Sequence, residues 1–255
     1  MKVPLIEVRA LSHVFPDSTE ALKDINLDIQ PGSFIVLAGP NGSGKTVFMR
    51  HLNGLAQPTS GKVLLDGTPV LDDLPRARRR IGLVFQDADA QIVGQTVASD
   101  AAFGPENLRL QRNEIEKRVE VALEATGLIG FNDRRPHTLS GGEKRRLAVA
   151  GVLAMEPDML VLDEPFTGLD WPGSADLLAV LDRFHDSGRT ILLITHDLDK
   201  VLAHANRLML MDRGRIMEDG RPGEIISRVE ALGIRRPAGD ITGMSWSKRE
   251  RNERT

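Results

Sequence analysis

The stretch FIVLAGPNGSGKT, residues 34–46, constrains the fold of this chain more than any other segment. Phe34 to Ala38 is apolar throughout, without polar alternation, and reads as a strand buried on both faces. Gly39 to Thr46 then fits G-x-x-x-x-G-K-[ST] and leads into a helical pattern over Lys45–Gly54. A glycine-rich turn between a buried strand and a helix start gathers backbone N–H groups, and the helix dipole favours an anion there. Gly39, Pro40, Asn41, Gly42, Ser43 and Gly44 form the cradle for a nucleotide's phosphates. Lys45 is placed to reach the β- and γ-phosphates, and the Thr46 hydroxyl to ligate Mg²⁺.

Further apolar runs at Ile81–Phe85, Met159–Leu162 and Thr190–Thr195 alternate with helical patterns at Glu114–Thr126, Gly142–Met155 and Ser174–Ser187. This alternation predicts an α/β domain with a mainly parallel core sheet. The start differs: Leu5–Arg9, Ile25–Ile29 and Val63–Leu65 read as antiparallel strands around the turn signals PDS and DGT. From Asn113 to His137 the pattern is helical, which predicts an inserted helical subdomain at about 87–155. The reading is one domain over 1–235, followed by a charged, loosely ordered tail over 236–255.

Composition narrows the function classes. With 255 residues the chain is long enough for a large single core. A net charge of -3 gives no electrostatic case for a nucleic-acid partner, and the absence of cysteine excludes disulfides and thiolate metal sites. The longest apolar runs fall far short of the ~20 residues needed to span a bilayer. The basic cluster RARRR, Arg76 to Arg80, reads as a solvated helix face.

Other segments add chemistry to the phosphate loop. MLVLDEP, residues 159–165, is a buried strand ending in two carboxylates. Asp163 suits Mg²⁺, and Glu164 suits a general base for an attacking water. His196 follows the strand Thr190–Thr195, at the sheet edge where ligands of open α/β folds gather. Gln86, after the run IGLVF, offers a side-chain amide to Mg²⁺ or to a water. LSGGEKRR, Leu139 to Arg146, sets Ser140 three residues before Glu143 as a capping box, yet spends Gly141 and Gly142 on the first helical turn. Glycine costs a helix about 1 kcal/mol per residue relative to alanine, so this site calls for bare N–H groups. The sequence permits this helix start and the phosphate loop to grip the same nucleotide.

In this order GPNGSGKT, Gln86, LSGGEKRR, VLDEP, TGLD and His196 resemble the ATP-binding subunits of ABC transporters, over roughly residues 5–225. The resemblance implies the ABC ATPase fold of the P-loop NTPases, with an N-terminal antiparallel β subdomain. It implies Mg-dependent ATP hydrolysis with Glu164 as catalytic base, Lys45 and His196 as catalytic partners, and Thr46, Gln86 and Asp163 around Mg²⁺. Phe15 is the best match for an adenine-stacking aromatic, in a chain without tyrosine. Asp170 corresponds to the aspartate that communicates across a dimer. Ser140, Gly141 and Gly142 are implied to bind ATP held by a second subunit, in a homodimer or with a related ATPase. Trp171 stands where proline is frequent in the family.

The segment GLVFQDADAQIVGQTVASDAAFGPENLRL and the run AVAGVLAMEP are similar to ATPases of energy-coupling factor importers for cobalt, nickel or vitamins. That narrower resemblance implies a transmembrane coupling protein and a substrate-binding membrane protein as partners, and a place on the cytoplasmic face of the membrane. Asp87 and Asp89 are then candidate docking contacts. The alternative is a soluble ABC ATPase acting on nucleic acid or ribosomes. A single cassette with roughly 95 residues between Lys45 and Ser140, and no long coiled-coil insertion, favours the transporter.

Overall fold

A computed structural model describes residues 3–245. The chain starts with β1 (Ile6–Val14), β2 (Glu20–Ile29), β3 (Phe34–Ala38), α1 (Lys45–Leu52), β4 (Ser60–Leu65) and β5 (Thr68–Pro69). Next come α2 (Leu74–Arg80), β6 (Ile81–Val84), α3 (Val97–Asn107), α4 (Arg112–Ala125), α5 (Gly141–Leu153) and β7 (Met159–Asp163). The last part holds α6 (Trp171–Asp186), β8 (Thr190–Ile194), β9 (Arg207–Asp212), β10 (Arg215–Gly220) and α7 (Pro222–Ile225).

Two sheets form. The four-stranded sheet runs β2-β1-β4-β5 and the six-stranded sheet β10-β9-β3-β8-β7-β6. The first is antiparallel throughout. In the second, β9, β3, β8, β7 and β6 are parallel, and β10 adds an antiparallel edge. The unalternated apolar runs are explained by burial on both sides. Phe34, Val36 and Ala38 of β3 face a core shared with α6, while Ile35 and Leu37 face one shared with α1 and the antiparallel sheet. A third cluster, including Val97, Leu123, Leu128 and Leu147, joins α3, α4 and α5 into the helical unit.

Several expectations change. β6 ends at Val84, one residue before the expected Phe85, because the Gln91 side chain takes over the ladder: its Oε1 accepts from Phe85 N at 3.0 Å and its Nε2 donates to Leu83 O at 3.1 Å. β9 and β10 had no counterpart in the sequence reading. Their hairpin turns at Arg213 and Gly214, both at positive φ, as a tight two-residue hairpin requires. α3 was likewise unforeseen, being masked by Gly104 and Pro105. A reciprocal Thr96–Ser99 cap starts it, and Gly104 lets α3 approach Met155 more closely than a Cβ would allow.

The tail expectation needs correction over 236–245. Met244 is buried in the α6 core, its carbonyl accepts from Ala203 N at 3.0 Å, and Ser245 Oγ lies 2.6 Å from His204 Nε2. Asp182 holds the other nitrogen of His204 at 2.8 Å, so a buried side chain and a polar clamp fasten this stretch down. Residues 246–255 lie outside the described residues. In the RARRR cluster, Arg76 pairs with Asp66 at 2.8 Å, and Arg80 pairs with both Asp66 and Asp158. That helix face is thus tied to the fold at two of its arginines.

Candidate active site

The phosphate loop joins β3 to α1 at the carboxyl edge of the parallel sheet. Gly44 precedes α1 at φ 106°, where an added Cβ would also meet the Ala21 carbonyl at 2.5 Å. At Gly39 a Cβ would come within 2.1 Å of the Met211 carbonyl, so β9 itself forbids a side chain there. Lys45 is 9% exposed, and its ammonium donates to the carbonyls of Gly39 at 2.8 Å and Pro40 at 2.9 Å. Burial pushes its pKa down, opposed by the charges of Glu164 and Asp163.

The end of β7 faces the same loop. Thr46 Oγ1 donates to Asp163 Oδ2 at 2.5 Å, setting two hard oxygen donors side by side. Burial raises the Asp163 pKa, while the Thr46 hydrogen bond opposes the rise. Among the described residues no group of three or more His, Asp or Glu could hold a metal. This donor set fits Mg²⁺, which is bound through one or two protein oxygens together with substrate phosphates.

Glu164 sits at φ 47°, in the left-handed region that costs a non-glycine residue about 1–3 kcal/mol. Its surroundings hold it there. Its N–H donates to Ile194 O at 2.9 Å. Its carboxylate accepts from Thr195 Oγ1 at 3.1 Å, from His196 N at 3.2 Å and from His196 Nδ1 at 2.8 Å. The carboxylate is thereby aimed rather than free to rotate.

Phe15, Lys45, Thr46, Gln86, Asp163, Glu164 and His196 line one cleft of about 500 Å³. Residues from the ends of β1, β3, β6, β7 and β8 are thus brought together. Phe15 is 40% exposed, and its ring meets that of His13 edge-on at 4.9 Å between centroids. Ser140, Gly141 and Gly142 do not line this cleft. The expected capping box does form at the start of α5: Ser140 N donates to Glu143 Oε2 at 2.7 Å, and Glu143 N to Ser140 Oγ at 3.3 Å. The Ser140 N–H keeps the Glu143 carboxyl below its usual pKa. A Cβ on Gly141 would meet nothing within 4 Å, so packing in this chain does not ask for a glycine there. Asp170 caps α6 through Gly173 N at 2.9 Å. Asp89 pairs with Lys144 at 2.6 Å, and Asp87 Oδ1 accepts from Asp89 N at 3.0 Å.

The ABC transporter family model matches residues 22–167, which span the phosphate loop, α5 and the carboxylates of β7. The chain belongs to the ABC transporter ATPase family. It is 44% identical over 231 residues to the energy-coupling factor transporter ATP-binding protein EcfA of Methanocaldococcus jannaschii, covering 89% of this chain and 83% of that protein. It is also 44% identical over 244 residues to EcfA2 of Symbiobacterium thermophilum, covering 91% and 85%. Among solved structures, cbiO1 of Clostridium perfringens, part of the ABC transporter complex cbiONQ, matches with a TM-score of 0.80 at 38% identity, covering 90% of this chain and 93% of that one. A dimeric ATP-binding cassette bound to ADP and Pi matches with a TM-score of 0.77 at 27% identity, covering 85% and 98%.

This ABC ATPase therefore hydrolyses ATP. Two of its residues at the site were not foreseen. Thr195 grips the Glu164 carboxylate, and Arg145 donates to the carbonyls of Glu164 at 2.7 Å and Gln86 at 2.9 Å. Neither carried a sequence signal, since each acts on a residue distant along the chain.

Proposed function

We propose that this ABC ATPase is the motor subunit of an energy-coupling factor importer, driving uptake of a transition-metal ion such as cobalt or nickel, or of a vitamin. One observation carries the importer reading: the 44% identity, over most of the chain, to energy-coupling factor transporter ATP-binding proteins. The motor role is supported by the phosphate loop, the hydrogen-bonded Thr46–Asp163 pair and the doubly held Glu164 that share one cleft. In this reading residues 1–235 work as one ATPase domain, with the helical unit of about 87–155 inserted.

The phosphate loop from Gly39 to Thr46 cradles the ATP phosphates, and Phe15 stacks on the adenine. Thr46, Asp163 and Gln86 would hold Mg²⁺, and the ion would supply positive charge to offset that of the ATP phosphates. Glu164 accepts a proton from water as its oxygen attacks the γ-phosphorus in line. The bond to the β–γ bridging oxygen breaks, and ADP and phosphate leave. Lys45 exchanges its loop carbonyls for phosphate oxygens, and His196 keeps the Glu164 carboxylate aimed.

Ser140, Gly141 and Gly142 serve the ATP of a second ATPase subunit, and Asp170 communicates across that dimer. Their position off the chain's own cleft supports this, as do the dimeric cassettes of similar fold. Both a homodimer and a heterodimer with a related ATPase fit this reading. A groove of about 360 Å³ between β6 and the helical unit suits a helix of a transmembrane coupling protein. Phe103, Val93 and Leu55 on its walls are 53%, 60% and 50% exposed. A substrate-binding membrane protein completes the assembly at the cytoplasmic face of the membrane. No described helix is long and apolar enough to cross a membrane, which fits a peripheral subunit held by such partners.

Affinity purification of the tagged chain from solubilised membranes tests the reading. Co-purification of a polytopic coupling protein and a small membrane protein is expected. Recovery of ribosomes or DNA without any membrane protein overturns it in favour of a soluble ABC ATPase.

A further inference from the structure

Helix α5 carries Ser140 to the surface, but its fifth residue points back into its own chain. Arg145 Nη1 donates to the Glu164 carbonyl at 2.7 Å, and Nη2 donates to the Gln86 carbonyl at 2.9 Å. A guanidinium is planar and its N–H groups are rigidly spaced, so two carbonyls bound to it are held at a set separation. One belongs to the loop after β7 and the other to the loop after β6. These loops carry the carboxylate and the amide that face the cleft.

The contact matters because of the Glu164 backbone. Its left-handed φ of 47° persists where neighbours hold the peptide on both sides. The N–H goes to Ile194, and the carboxylate is held by Thr195 and His196, both just beyond β8. The carbonyl accepts from Thr167 N at 3.2 Å and from Arg145. Of these partners, Arg145 alone comes from the helical unit. Burial lowers the Arg145 pKa and the charges of Asp87 and Glu164 oppose that, while a guanidinium stays protonated throughout.

We propose that Arg145 is a positioning residue for hydrolysis: it ties the Glu164 peptide to the Gln86 peptide, so that α5, the Gln86 loop and the general base move as one body. The inference rests on the reading of Glu164 as the base. It gives the groove beside Phe85 a direct route to the chemistry, because displacing the 86–91 loop pulls on the guanidinium that steadies Glu164. Lys144, one residue earlier, reaches the same loop through Asp89. The Asp89 side chain is 70% exposed, which makes that pair a weak strut and a useful control.

The test uses single-turnover ATP hydrolysis by the full-length chain in excess over Mg-ATP, with ATP affinity and Tm measured alongside. R145M is expected to slow hydrolysis about 10- to 100-fold, the range for a small misplacement of a catalytic group, with affinity and Tm unchanged. R145K, whose single ammonium cannot bridge both carbonyls, is expected to recover part of the rate at most. K144M is expected to stay within about twofold of the parent. In a Glu164→Gln background the R145M effect is expected to vanish, because the two changes disable one device. A full-rate R145M or R145K overturns the proposal. So does an R145M loss that persists undiminished in Glu164→Gln, or one matched by weaker ATP binding. If Glu164→Gln alone leaves the rate unchanged, the base assignment has failed and the proposal falls with it, which separates the two failures.

Discussion

His196 Nδ1 lies 2.8 Å from Glu164 Oε1, joining the second residue past β8 to the residue after β7. A carboxylate oxygen accepts, so the Nδ1 N–H is the donor in this contact. Glu164→Gln is expected to lower the hydrolysis rate about 10²- to 10⁴-fold and to accumulate an ATP-bound dimer, seen by size-exclusion chromatography with ATP. His196→Ala should cost less, since Thr195 and the residue-196 N–H still hold the carboxylate. With the His196 side chain 62% exposed, its removal should leave Tm unchanged.

Gly141→Ala separates stability from activity. Open space surrounds the position, so the substitution should leave the isolated chain as stable or up to about 1 kcal/mol more stable in denaturant unfolding. On the proposed dimer, ATP-dependent association and turnover should fall, because the added methyl would cover N–H groups assigned there to the second subunit's nucleotide. Equal loss of stability and activity would argue for a purely local role.

Asp163→Asn has a pH signature. Burial raises the Asp163 carboxyl above its unfolded value, so the native nucleotide-free chain holds this proton to higher pH than the unfolded chain does. The stability it contributes is full below the unfolded pKa and declines as pH rises through the folded pKa. Removing the ionisable group should therefore raise Tm more at pH 8 than at pH 4, by calorimetry without nucleotide. Mg-dependent hydrolysis should be lost at every pH.

Phe15→Ala tests the adenine platform. Base–aromatic stacking is worth about 1–3 kcal/mol, so ATP affinity should fall about 5- to 150-fold while inorganic triphosphate binds as before. Fluorescence titration with a labelled ATP measures the first and competition by triphosphate the second. An equal loss for both ligands would show that Phe15 shapes the phosphate loop instead.

The central strands were legible because burial on both faces leaves an unbroken apolar run, and Phe34–Ala38 forms as expected while Met159–Asp163 and Thr190–Ile194 end within one residue of their expected ends. The antiparallel sheet was legible only in part. β1 continues past Arg9 to Val14, through register shifts near Leu11 and His13 that break the period of two. α3 was hidden by Pro105 and by Gly104, and the close approach of Gly104 to Met155 is visible only in the packing.

By itself the sequence determined the groups whose chemistry is local: the phosphate loop, the carboxylates ending β7 and the capping box that starts α5. Each is written in consecutive residues and depends on backbone geometry within a turn or two. Tertiary structure alone decided that Thr195 and His196 grip Glu164, that Arg145 bridges Glu164 and Gln86, and that residues 140–142 do not line their own chain's cleft. These relations join residues 19 to 59 positions apart or set one surface against another. Strand order and helix packing fix such distances, and no local pattern encodes them.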